Sequence, residues 1–178
     1  CSSDLPEDFI DFKGNVNEII ERFKSENLIT VGIKDRDGKI VEGGEKIAEK
    51  LINLCDFLLI EADGARMHPL KAPANYEPVI LKNTTMVVGV AGIDSLFKSI
   101  NKICHRPEQV CKVLSKNYNH KINTKDIANI LGSEEGQRKN VKGCFNAKYR
   151  AIINKVDNDE LLIYAKEICK YLYENNIK

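Results

Sequence analysis

The sequence predicts an α/β fold with a mainly parallel sheet flanked by helices and a β-hairpin, on three observations. Short apolar runs of strand length alternate with stretches of helical period. One run, Phe57-Leu58-Leu59-Ile60, is apolar at four consecutive positions, as in a strand buried on both faces. That run ends on Glu61-Ala62-Asp63-Gly64, which puts carboxylates where open α/β sheets bind their ligands.

The elements follow in order. Residues 1–14 are irregular and mixed. A short helix spans 15–25, with Val16, Ile19, Ile20 and Phe23 on one face. Residues 28–33 and 39–41 read as a hairpin around Asp35-Arg36-Asp37-Gly38. Glu42-Gly43-Gly44 lacks the spacing and the Lys-Ser/Thr ending of a phosphate loop, so it reads as a turn before a helix at 45–53. The strand at 57–61 leads into a long loop through Pro69, Pro73 and Pro78, then a strand at 85–90. Helices start near Asp94, at Pro107 (to about 116) and at Thr124, the last stopping at Gly132. Residues 133–143 are polar and read as a solvated loop. A strand at 149–153 precedes the final helix, 159–175, whose stripe of Leu161, Ala165, Ile168 and Leu172 packs on a sheet, flanked by Leu162 and Cys169.

The 178 residues, 43% apolar and 30% charged, fit one domain, 1–178, of ordinary globular composition. A net charge of +1 gives no electrostatic case for nucleic acid or a membrane surface. No apolar stretch approaches the roughly 20 residues that span a bilayer, and no signal-peptide pattern is present. The six cysteines include no C-x-x-C pair, which argues against structural zinc and for reduced thiols in a cytoplasmic protein. Cys55 and Cys169 read as small core residues, and Cys104, beside His105, as a candidate reactive thiol.

Two motifs carry chemistry. Glu61 and Asp63 would project the same way if strand geometry continues, and with Gly64 they could hold magnesium and polarise a water. The plainer reading is a strand and a polar turn. Asn154-Lys155-Val156-Asp157 follows a buried strand and resembles the guanine-recognition element of GTP-binding proteins. An aspartate there accepts two hydrogen bonds from the guanine edge, which favours GTP over ATP, while Asn154 and the Lys155 stem serve the purine. The alternative is a helix entry, with Asp157 or Asn158 as N-cap. Arg66, His68 and Lys71, in a proline-stiffened loop, are candidates for binding phosphate or a second anion. His105 and Arg106 join them if they face the same cleft. No G-x-x-x-x-G-K-[S/T] loop occurs in these residues, so the pattern has the magnesium and base ends of a nucleotide site without its phosphate cradle.

Taken in order, Glu61-Ala62-Asp63-Gly64-Ala65, Pro69-Leu70-Lys71-Ala72-Pro73, Glu77-Pro78, Val88-Gly89-Val90, His105-Arg106-Pro107-Glu108 and Asn154-Lys155-Val156-Asp157 resemble the YqeC family. Its members are described as accessory proteins of selenium-dependent molybdenum hydroxylases. The resemblance implies a P-loop-related, three-layer α/β protein whose partners are a nucleotide and the molybdenum cofactor or the hydroxylase. It also implies a glycine-rich phosphate loop upstream of residue 1, consistent with a chain that opens on Cys1. Two functions stay open: a magnesium- and GTP- or ATP-dependent maturation factor, and a non-hydrolysing carrier or docking protein for a molybdenum-pterin intermediate or the hydroxylase.

Overall fold

The computed structural model describes residues 9–34, 36, 40–41, 44–144 and 147–177. The chain, which reads from its sequence as one domain, divides into two compact units, Cys1–Ile60 and Glu61–Lys178. Its described residues form a mixed α/β protein with small parallel sheets and six α-helices.

In the first unit, β1 (Phe9–Asp11) runs parallel to β2 (Thr30–Lys34), which pairs antiparallel with β3 (Ile40–Val41). The expected hairpin is present in the register Ile33↔Val41 and Lys34↔Ile40. Most of its turn, and Glu42-Gly43, lie outside the described residues. Helices α1 (Asn17–Arg22) and α2 (Gly44–Leu51) complete the unit. Ile10, Phe12, Ile19 and Leu51 form its core, with Val16, Phe23, Val31 and Ile47 packed around them. The sequence left β1 unread because three residues are too few for a period-2 pattern to register.

Residues 57–61 are not a strand. Phe57 and Leu59 are 87% and 89% exposed, and among the described residues nothing pairs with this stretch. An unbroken apolar run specifies burial, but a strand also needs a neighbour for its backbone groups. Leu58 alone packs against the core of the first unit.

The second unit holds two parallel pairs. Strand β5 (Met86–Gly92) pairs with β7 (Lys148–Asn154) over the full register from Met86↔Lys148 to Gly92↔Asn154. The shorter pair joins β4 (Leu70–Lys71) to β6 (Cys104–His105). Helices α3 (Ile100–Ile103), α4 (Pro107–Leu114), α5 (Thr124–Gly132) and α6 (Asp159–Glu174) supply most of its core. Where one helix was expected from Asp94, a 3-10 turn at Ile93–Ser95 precedes α3. Helix α5 opens with a capping box, in which Asn123 Oδ1 accepts from Asp126 N and Asp126 Oδ2 from Asn123 N, both at 3.0 Å. Ile127, Ile130 and Leu131 of α5 meet Ala165, Ile168 and Leu172 of α6 in the core that takes in Ala91 and one face of β7. Cys169 is exposed and Cys55 only half-buried, so neither is the core residue expected. On a helix, residue 169 stands about 100° round from Ile168, which turns it off the buried stripe.

Gly89 is where β5 needs a glycine. A Cβ there would run into the Tyr149 hydroxyl, which is half-buried and donates to Leu131 O at 2.6 Å. Residues 133–143, expected to be a solvated loop, are solvated only in part: Glu134, Glu135, Asn140, Lys142 and Gly143 are exposed, while Gln137 and Lys139 bond inward. The Gln137 side-chain amide donates to Val90 O at 3.0 Å and Lys71 O at 3.4 Å, and Lys139 Nζ donates to Ala74 O at 2.6 Å. Polar composition misleads here because these side chains satisfy carbonyls of β4, β5 and the loop after β4. We predict that Gly89→Ala costs about 1–3 kcal/mol by overpacking, read as a lower urea midpoint; an unchanged midpoint would refute this packing of β5 on Tyr149.

Candidate functional site

The site is built on the two-rung β4–β6 ladder, which sets Leu70 against Cys104 and Lys71 against His105. Lys71 is only 5% exposed. Its ammonium would be costly to bury alone, and three oxygens offset that cost. It bonds the Asp63 carboxylate, donates to Gly64 O at 2.8 Å, and pairs with Glu77 Oε2 at 3.0 Å. Glu77 Oε2 also accepts from Ala74 N at 3.1 Å and from the Arg106 guanidinium. Arg106 Nη2 reaches Tyr76 Oη at 3.0 Å, with the guanidinium 5.4 Å from the centre of that ring.

The network shifts its two acids in opposite directions. Burial raises the Asp63 carboxyl above its usual range, outweighing the pull of Lys71. Burial works against Glu77 as well, but the bonds from Arg106, Ala74 N–H and Lys71 prevail and hold it at about 2. Beside them the rings of His68 and His105 stack, their centres 6.0 Å apart. His105 is held below the usual histidine value by burial first, then by the positive field of Lys71, Arg106, Arg66 and His68. Arg66 and Met67 are exposed and left-handed, with φ of 48° and 63°.

Of the residues singled out from sequence, Asp63, Gly64, Lys71 and Arg106 meet in one network, with His68 and His105 at its side. Glu61 is exposed and outside it. The strand geometry that would have aligned Glu61 with Asp63 is absent, and Asp63 is engaged by Lys71 instead. Gly64 contributes its carbonyl to that lysine. Among the described residues, no group of three or more His, Cys, Asp or Glu side chains gathers as for a metal ion. Glu77 enters the sequence reading only within the Glu77-Pro78 part of the family pattern, with no role, and Tyr76 not at all; contact gives both their place in the network.

The second motif lies at the carboxyl end of β7, where Asn154 stands opposite Gly92 of β5. Asn154 Oδ1 accepts from Lys155 N at 2.8 Å, Lys155 is left-handed with φ of 63°, and its Nζ bonds Asp94 Oδ2 at 2.8 Å. Asn158 caps α6, its Oδ1 accepting from Leu161 N at 2.9 Å, so the capping role does not fall to Asp157. Asp157 is exposed. Gly92 N donates to Pro69 O at 2.7 Å, which ties the loop leading into β4 to the same end of the sheet.

A family profile described as YqeC protein matches residues 3–108. The chain belongs to the YqeC family. It is 30% identical over 126 residues to the uncharacterized protein YqeC of Escherichia coli (strain K12), an alignment that takes in 70% of this chain and 48% of that protein. The chain thus spans about half the length of the curated relative it matches. No solved structure matches it. The stretch matched to YqeC contains Asp63, Lys71, Glu77 and Arg106 and stops short of Asn154.

The Cys104 thiol of this YqeC chain is not the reactive group considered from sequence. It is buried, and burial pushes it up to about 12, so it stays protonated near neutral pH. No helix among the described residues is long and apolar enough to cross a membrane.

Two predictions concern the network. Lys71→Met leaves Asp63 and Glu77 without their shared cation and should destabilise the second unit by about 3–5 kcal/mol; a loss under about 1 kcal/mol in chemical denaturation would contradict a buried ion pair. Glu77 is depressed from 4.5 to about 2, so its contribution is complete above pH 4.5 and lost as pH falls toward 2. Glu77→Gln should flatten the stability profile across that window, and an unaltered acid limb would remove Glu77 as its cause.

Proposed function

We propose that this YqeC protein is a nucleotide-dependent accessory factor for selenium-dependent molybdenum hydroxylases, cytoplasmic, with GTP favoured over ATP. The accessory role rests on the family resemblance, which also implies the P-loop-related three-layer architecture. One observation carries the nucleotide: Asp157 is exposed at the carboxyl end of a parallel strand pair while Asn158 caps the following helix. That position is where open α/β sheets take their ligands, and an aspartate there can accept from both donors of the guanine edge. Asn154 and Lys155 complete the base site.

In this reading Glu61 offers its exposed carboxylate to a magnesium ion that arrives with the phosphates, since magnesium bound with phosphates needs only one or two protein carboxylates. Asp63, bonded to Lys71, is a positioning residue. Arg66, His68 and His105 supply the anion contacts, because Lys71 and Arg106 are already engaged by Asp63 and Glu77.

A second reading makes the protein a non-hydrolysing carrier or docking protein for a molybdenum-pterin intermediate or the hydroxylase. The exposed Arg66, beside the stacked rings of His68 and His105, favours it, since a cation there suits an anionic ligand whether or not a nucleotide binds. Calorimetric titration of magnesium-GTP and magnesium-ATP into the longest natural form of the protein separates the two. Tighter GTP binding that falls about tenfold or more, with loss of preference over ATP, in Asp157→Ala is expected. Unchanged preference in that variant would sink the base assignment. Silence with both nucleotides, with hydroxylase co-purification abolished by Arg66→Ala, is the outcome the carrier reading expects.

A further inference from the structure

The amino end of β7 carries a feature that neither site uses. Arg138, Lys148, Tyr149, Arg150, Asn176 and Ile177 line a hollow of about 240 Å³. Three of these are cations, and no carboxylate is among the described residues that line it. Nor does any ion pair among the described residues engage Arg138, Lys148 or Arg150. Glu134 lies within the field of Arg138, but it is exposed and paired with Lys142.

Arg138 is the most constrained of the three. Its Nη1 donates to Gly132 O at 3.3 Å, at the end of α5, and its guanidinium lies 5.8 Å from the centre of the Tyr149 ring. Its Nε is buried and has no hydrogen-bond partner. Beyond the bond from Nη1, its Nη2 keeps donors for an acceptor. Arg150 places one nitrogen on Tyr149 O at 2.8 Å and keeps further donors, while Lys148 is exposed. With three cations and no acid among the described residues that line the hollow, an anion seated there is attracted by each of them.

We propose that this hollow binds a small anion of the phosphate class. Two guanidinium groups suit the bidentate geometry of phosphate oxygens, and Lys148 adds a point charge. The site is separate from the proposed base site: the strand from Lys148 to Asn154 places the two about 20 Å apart at ~3.3 Å per residue. It therefore stands whether or not the nucleotide reading does.

The test is a titration of inorganic pyrophosphate into the 178-residue chain at constant ionic strength, followed by backbone amide NMR. The expected result is saturable binding with shifts at Arg138, at 148–150 and at Asn176. Lys148→Gln and Arg150→Gln should each weaken it about tenfold. Arg138→Gln should weaken it further, but that change also removes a bond at the end of α5, so the two strand variants decide the matter if it fails to fold. A linear, non-saturating response overturns the proposal. So do shifts confined to His68 and His105 or to Asn154, or an undiminished affinity at the hollow when Lys148 and Arg150 are both replaced.

Discussion

A buried ammonium organises the second unit. Lys71 sits on a strand of two residues, too short to hold itself in place, and its side chain gathers parts of the chain that have no other reason to meet. Asp63 and Gly64 come from the approach to the strand and Glu77 from the loop beyond it; Arg106, at the start of α4, joins through Glu77. An uncompensated charge at that depth would not be tolerated. The irregular stretch 61–78 therefore takes one course because Lys71 must find its oxygens. Gln137 and Lys139 reinforce that course by bonding the carbonyls of Lys71 and Ala74.

The long pair β5–β7 supplies the rest of the frame. Its register is complete over seven rungs, and Gly89 lets the Tyr149 ring lie close enough for its hydroxyl to reach α5. The two ends of β7 differ in chemistry. Lys148 and Arg150 give the amino end its positive charge, whereas Asn154 and Asp157 give the carboxyl end its acceptors. Position along one strand thus separates the charge and the acceptors of its two ends.

Much of this was legible in the residues. Helices α4, α5 and α6 lie where their period, Pro107, Gly132 and the stripe through Ile168 put them, because each buries one face against a single core. The hairpin of the first unit and the strands β5 and β7 were legible for the same local reasons. The run 57–61 was not, since apolar content cannot say whether a partner strand stands beside it. The charged cluster was half-legible. Asp63, Lys71 and Arg106 were visible as candidates, but the acid that joins them, Glu77, stood there only as part of the family pattern with no role, because an ion pair between residues 29 apart leaves no trace in spacing. The segment 133–143 misled for a related reason: polar side chains that bond inward have the same composition as those that face water.

The two-rung ladder that holds Lys71 also holds His105, and Arg106 follows directly in the chain. These groups cannot be displaced singly. A side chain lost from this set changes the conditions under which every other member is held, so the energies of single replacements will not sum to that of the set. What is local in the ladder is therefore collective in its thermodynamics, and the free energy of this cluster belongs to the ensemble of its members and has no unique division among them.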